Sequence, residues 1–169
     1  MSVLHPVVAA LDLEQFMREA LEQARIAGQA GGMSIGAVLV MDGQVIARGQ
    51  NTCESEQNQI LHAEINALMN GAKLLWDAGD RWALREKAVL FTTVEPCPMC
   101  LGATVMADIP HIVFSAHDGN VCSSQSVREN PYIKRHLKTY LGGVLEAESR
   151  ALIAQFSPEM LPSLDRVYS

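Results

Sequence analysis

Two short segments carry residue types able to do chemistry together: Leu61-His62-Ala63-Glu64 and Glu95-Pro96-Cys97-Pro98-Met99-Cys100. They read as H-x-E followed by P-C-x-x-C, which supplies an imidazole, two thiols and a carboxylate. A catalytic zinc takes three protein ligands and leaves its fourth position to water, so His62, Cys97 and Cys100 are the candidate ligands. The two sulfurs converge if a helix begins at the first cysteine, where free N–H groups and the positive end of the helix dipole stabilise a thiolate. Pro96 and Pro98 suit such a start, because the N–H groups there have no helical partner to lose. Glu64 lies two positions past His62, about 200° around a helix axis. The pair therefore shares a cavity only if His62 sits at a helix start, before the helical twist begins. Glu64 then stands beside the metal's water as a proton acceptor and not as a ligand. Plainer readings exist for each residue: a redox pair for C-x-x-C, a satisfied core histidine, a solvated helix glutamate. Their joint occurrence, in strand–turn–helix and loop–helix contexts, favours the metal site.

The elements that must position these residues follow from periodicity. Leu13, Phe16, Met17, Ala20, Leu21 and Ala24 fall at helical spacing and predict an amphipathic helix over 12–27. Asp12 with Gln15 resembles a capping box, and Gly28, Gly31 and Gly32 stop the helix. Residues 34–41 read as a strand, Asp42-Gly43 as a hairpin turn and 44–48 as the return strand. After a polar loop over 50–58, a second helix is predicted over 61–75, with Leu61, Ile65, Leu68, Ala72 and Leu75 as its buried stripe. A strand over 88–93 feeds the Pro-Cys-Pro turn. A third helix runs from there to about Ala107 and is closed off by Pro110. Residues 111–115 form the next strand, 116–131 a loop, 132–137 a polar helix, 139–145 a short strand and 146–156 the last helix. This order predicts an α/β fold, a three-layer α/β/α sandwich with a mixed central sheet, as one domain over residues 1–169.

Composition narrows the function classes. With 169 residues, 49 % apolar and 19 % charged, the chain suits a domain with a sizeable core and does not read as disordered. A net charge of −6 and a pI near 5.3 argue against a polyanionic partner, since nucleic-acid affinity rests on Lys and Arg neutralising phosphates. The cluster Lys134-Arg135-His136 with Lys138, and Arg128 upstream, reads as a solvated helix face. No apolar run approaches the roughly 20 residues of a membrane helix, and the first residues lack the basic segment of a secretory signal. Four cysteines, two of them in C-x-x-C, suit a reducing compartment with a metal, and the cytoplasm is the expected location. Cys53 and Cys122 lie outside any ligand spacing and read as ordinary thiols. His5, His111, His117 and His136 read as structural or exposed, Trp76 and Trp82 as packing residues, and the eight methionines as core filler.

The sequence resembles the cytidine/deoxycytidylate deaminase superfamily, in the branch of fungal cytosine deaminase, bacterial guanine deaminase and bacterial tRNA adenosine deaminase. The anchors are residues 34–40 (S-I-G-A-V-L-V), Gly49-Gln50-Asn51, His62-Ala63-Glu64 and Glu95 to Cys100. The resemblance implies the α/β/α sandwich, zinc on His62, Cys97 and Cys100, Glu64 as proton shuttle and Asn51 as a hydrogen-bonding partner of the bound base. Backbone groups around Ala63 and Glu95 complete the expected substrate contacts, and a homodimer is the expected assembly. Substrate choice is mixed: Gly102 to Pro110 and Leu61 look like fungal cytosine deaminase, yet the last ten residues lack the Trp-Phe-Glu-Asp lid of that group. Guanine and tRNA deaminases carry Asp-Pro-Thr shortly before the histidine, where this chain has Asn58-Gln59-Ile60. The expectation is a zinc-dependent deaminase of a free nucleobase or a related small heterocyclic amine, with cytosine first, hence a part in nucleobase metabolism and no nucleic-acid partner. The alternative is conversion of wobble adenosine to inosine in tRNA. From a different class, a noncatalytic zinc-binding scaffold is disfavoured by Glu64, since a structural site closes its fourth position with a ligand.

Overall fold

In a computed structural model, which describes residues 4–77 and 86–166, the chain begins with a single helical turn, α1 (Pro6–Ala9). Asp12 then caps α2 (Leu13–Gln29), its carboxylate accepting the Gln15 N–H at 3.0 Å, which satisfies one of the orphan donors of a helix start. Asp42 and Gly43, both at positive φ, close the hairpin between β1 (Gly36–Met41) and β2 (Gln44–Gln50). β2 runs two residues past the predicted end and delivers the chain to Asn51. The remaining elements are α3 (Ala63–Asp77), β3 (Ala88–Val94), α4 (Pro98–Met106), β4 (His111–Ala116), α5 (Ser123–Glu129), α6 (Pro131–His136), β5 (Thr139–Leu141), α7 (Glu146–Phe156) and, after a 3-10 turn at Pro158–Met160, α8 (Leu161–Leu164).

The strands form one sheet in the order β2-β1-β3-β4-β5. β1 is antiparallel to both neighbours, while β3, β4 and β5 run parallel. Side chains alternate across the sheet and supply two apolar layers. Val38, Val40, Val89, Phe91 and Val113 pack under Phe16, Met17 and Ala20 of α2. Leu39, Leu90 and Ile112 face α3 and α4 through Ala67, Leu101 and Val105. Every residue of β3 is buried, as expected of a strand covered on both faces. The predicted three-layer sandwich with a mixed sheet is the architecture found.

Close backbone approach decides how α3 sits. A Cβ on Gly49 of β2 would lie 2.1 Å from the Ala63 carbonyl oxygen and 2.3 Å from the Ala67 nitrogen. The helix therefore presents its smallest side chains to the sheet: its buried face is Ala63, Glu64, Ala67, Gly71 and Leu75. Only Leu75 belongs to the stripe expected from sequence, and Ala72 is exposed. Large apolar residues mark a helix's inner face only where the partner leaves room for them.

Three further expectations are corrected. The segment 116–131, read as loop, contains α5, which starts from Cys122 in the left-handed region with no side-chain cap. A seven-residue polar helix without a cap leaves little local signal, and contacts distant in sequence hold it. Met69, Met106 and Trp76 are 61 %, 68 % and 65 % exposed, so they are neither core filler nor packing residues; Trp82 lies outside the described residues. Among the described residues, no helix is long and apolar enough to cross a membrane.

Candidate metal centre

Two helix starts meet above the carboxyl end of β3. β3 ends at Val94, and the chain passes through Glu95 and Pro96 to Cys97, the N-cap of α4, with Pro98 in the first turn. Across from it, His62 precedes α3 and Glu64 is the second residue of that helix, the arrangement required for both to face one cavity. His62 Nδ1 lies 3.6 Å from Cys97 Sγ and 3.6 Å from Cys100 Sγ. A tetrahedral zinc with Zn–S of about 2.3 Å and Zn–N of about 2.0–2.1 Å separates its N and S ligands by about 3.6 Å, so the donor set fits the ion without adjustment. All three donor atoms lie within 4.8 Å of one another, and this is the metal-binding cluster found among the described residues.

The three ligands are coupled electrostatically. The hydrogen bond from Cys100, followed by the bond to His62, holds the Cys97 thiol down to about 4, while Cys97 and burial push Cys100 up. The Cys97 thiolate in turn raises His62. Glu64 is 4 % exposed; burial raises its carboxyl above the ordinary range, and Thr92 of β3 donates to its Oε1 at 3.1 Å. His62, Glu64 and Cys97 open onto a cleft of about 230 Å³, lined also by Ile35, Val94, Asp118, Met160 and Leu164. That is below the roughly 300–1,000 Å³ of drug-sized pockets, and it admits one flat heterocycle.

The other expected site residues fall nearby with different commitments. Asn51 is 3 % exposed; its Oδ1 accepts the Cys53 N–H at 3.2 Å, and its backbone N–H donates to the carbonyl of cleft-lining Ile35 at 3.0 Å. Its Nδ2 is buried with no protein partner. Ala63 is fully buried under Gly49. Glu95 is committed to its own chain: its N–H donates to Ala116 O at 2.8 Å, Oε1 accepts from Ser124 N and the Tyr140 hydroxyl, and Oε2 accepts from Asp118 N. Sequence reasoning missed Thr92, this carboxylate clamp and the C-terminal wall of Met160, Ser163 and Leu164. Thr92 lies on β3, the strand that feeds the cysteine motif, and could have been found by its alternation. Tyr140 lies 45 residues from Glu95 and left no local signal.

Residues 11–116 match the model of the cytidine and deoxycytidylate deaminase zinc-binding region. The chain belongs to that family. As a member of this zinc-dependent deaminase family, it has His62, Cys97 and Cys100 positioned to hold the metal. The tRNA-specific adenosine deaminase of Bacillus subtilis (strain 168) is 38 % identical over 149 residues, covering 87 % of this chain and 89 % of that protein. A solved structure from work on A-to-I editing by tRNA:A34 deaminases at the wobble position superposes with a TM-score of 0.71 at 33 % identity, covering 82 % of this chain and 98 % of that one. Guanine deaminase from Nitrosomonas europaea shares the fold, with a TM-score of 0.67 at 24 % identity over 92 % and 94 % of the two chains. The tRNA deaminase relatives overturn the sequence expectation of a free-base deaminase with cytosine first, its place in nucleobase metabolism, and the exclusion of a nucleic-acid partner. The exclusion rested on net charge, which sums over the whole surface and does not report how cations are distributed on it.

Proposed function

We propose that this deaminase family member acts on adenosine in tRNA, hydrolysing it to inosine with release of ammonia. The observation that carries this reading is the likeness to the B. subtilis tRNA-specific adenosine deaminase across nearly the full length of both chains. The cleft agrees with it. A volume of about 230 Å³ accepts a base turned out of its stack while the ribose and phosphates stay outside, as enzymes acting on bases within a polymer require.

Zinc, when bound, supplies the Lewis acidity that brings a water's pKa towards neutrality. The residues of this chain then do the following. The Glu64 carboxylate takes the proton of the attacking water, which adds to C6 of the adenine ring. Glu64 returns that proton to N1, and transfer of a second proton to the exocyclic nitrogen lets it depart as ammonia. Thr92, donating to Oε1, holds the carboxylate in place for these transfers. Asn51 Nδ2, buried and unpartnered, orients the base, and Ile35 and Val94 exclude water from the ring. The test is direct. Zinc-loaded protein, incubated with a tRNA bearing adenosine at the wobble position and with free cytosine, guanine and adenine, should yield inosine in the tRNA and no ammonia from the free bases. Turnover of a free base with an unedited tRNA overturns the reading.

A further inference from the structure

One amide on α3 ties together the two segments that bring Asn51 and His62 to the cleft. Asn66 Nδ2 donates to Gln50 O at 2.8 Å, to Thr52 Oγ1 at 3.0 Å and to Leu61 O at 3.3 Å. Gln50 and Thr52 stand on either side of Asn51, and Leu61 immediately precedes His62. The backbone N–H of Asn66 donates to His62 O at 3.0 Å. A single residue therefore grips two successive carbonyls at the metal ligand and both neighbours of Asn51. The orientation of the amide is dictated by its partners. The Gln50 and Leu61 carbonyls can only accept, so the nitrogen and not the oxygen of the side chain must face them.

The loop between these segments gives them little support. Every residue from Glu54 to Ile60 is exposed, and bonds such as Asn58 N to Cys53 O and Leu61 N to Asn58 O are local to the loop. Across its base, the Thr52 N–H donates to Leu61 O at 3.1 Å, the same carbonyl that Asn66 holds. Asn66 itself does not line the cleft. It is half-buried, in an open groove with Gln50, Thr52 and Leu61, where water can take over the freed carbonyls if the side chain is truncated. Asn70, one turn further along α3, supplies a matched comparison. Its Nδ2 makes a bond of the same kind, to Arg48 O at 2.8 Å, but touches neither segment.

We infer that Asn66 is a positioning residue of this deaminase, setting Asn51 against His62 by binding the backbone beside each. The inference rests on Asn51 as the base contact and not on the substrate being tRNA, so activity is read on whichever substrate named above the wild type turns over. A misplacement of about 1 Å can cost about a hundredfold in rate. Asn66→Ala should accordingly lower kcat/KM by about tenfold to a hundredfold with zinc retained, while Asn70→Ala stays within about twofold of wild type. Because Asn66 acts partly through Asn51, adding Asn66→Ala to Asn51→Ala should cost much less than it costs alone, whereas independent structural losses multiply. Hydrogen exchange of the metal-free protein reads the same tie without turnover: the Thr52 N–H should exchange faster in Asn66→Ala and as in wild type in Asn70→Ala. Equal effects of Asn66→Ala and Asn70→Ala, or losses that multiply fully in the double variant, overturn the inference and leave Asn51 as the base contact. Loss of folding or zinc in both Asn66→Ala and Asn66→Ser makes the role structural and also overturns it. Wild-type activity in Asn51→Ala overturns both readings.

Discussion

The floor of the cleft and its wall are assembled in different ways. At the floor, His62 and Glu64 share one helix start and Cys97 and Cys100 another, so two local motifs need only be brought together once, by α3 lying on Gly49 and α4 following β3. At the wall, Asp118, Met160 and Leu164 come from segments about forty residues apart in sequence, held by single hydrogen bonds such as Gly119 N to Leu164 O at 3.0 Å. Chemistry is thus encoded locally and shape at a distance. Members of one family can keep the reaction while the surroundings of the base change.

That contrast can be broken at either end. The largest effect belongs to the ligands: Cys97→Ala should lower bound zinc from about one equivalent per chain to near none and abolish turnover, because a two-ligand site cannot hold the ion. Full zinc retention in both Cys97→Ala and Cys100→Ala refutes the ligand set. Next is Glu64→Gln, which keeps shape but accepts no proton. Turnover should drop by about a hundredfold to ten-thousandfold with zinc retained, and a near-normal rate removes Glu64 from the mechanism. At Asn51→Ala the buried donor and its substrate contact disappear together, which should cost about 1–3 kcal/mol in kcat/KM. Asn70→Ala, which loses only a bond to Arg48 O at the surface, should cost far less, and equal effects exclude Asn51 from base recognition. The smallest change is expected at the wall. Tyr140→Phe deletes one of the bonds to the Glu95 carboxylate, at about 0.5–1.5 kcal/mol of stability. It should raise KM for tRNA several-fold with kcat and zinc content nearly constant. A fall in kcat alone would show that wall and floor are not separable.

Legibility followed the same division. The Asp12 cap, the Asp42-Gly43 turn, the boundaries of α7 and the meeting of His62 with the two cysteines all depend on residues close in sequence or on a motif spacing, and all were readable. The buried face of α3 was not, because it is dictated by a glycine on another element. α5 was not either, since a helix starting from a left-handed Cys122 has no side-chain cap and its first turn is held by Glu95. The exclusion of a nucleic-acid partner failed for an electrostatic reason: net charge counts Arg18 and Lys134 alike, although the first is paired with Glu14 at 2.8 Å and the second has no carboxylate within ion-pair distance among the described residues.

Gly119 carries a consequence for how this enzyme can be altered. A Cβ there would lie 1.7 Å from the Arg166 carbonyl oxygen, closer than any two such atoms can stand, so a side chain at 119 and the present tail cannot coexist. The loop over 117–122 and the tail over 158–166 are therefore a single heritable module. A transplanted loop that carries a side chain at 119 collides with the present tail unless the tail changes with it. Attempts to redirect this scaffold towards other bases should move that module as a unit and leave the two helix starts beneath it untouched.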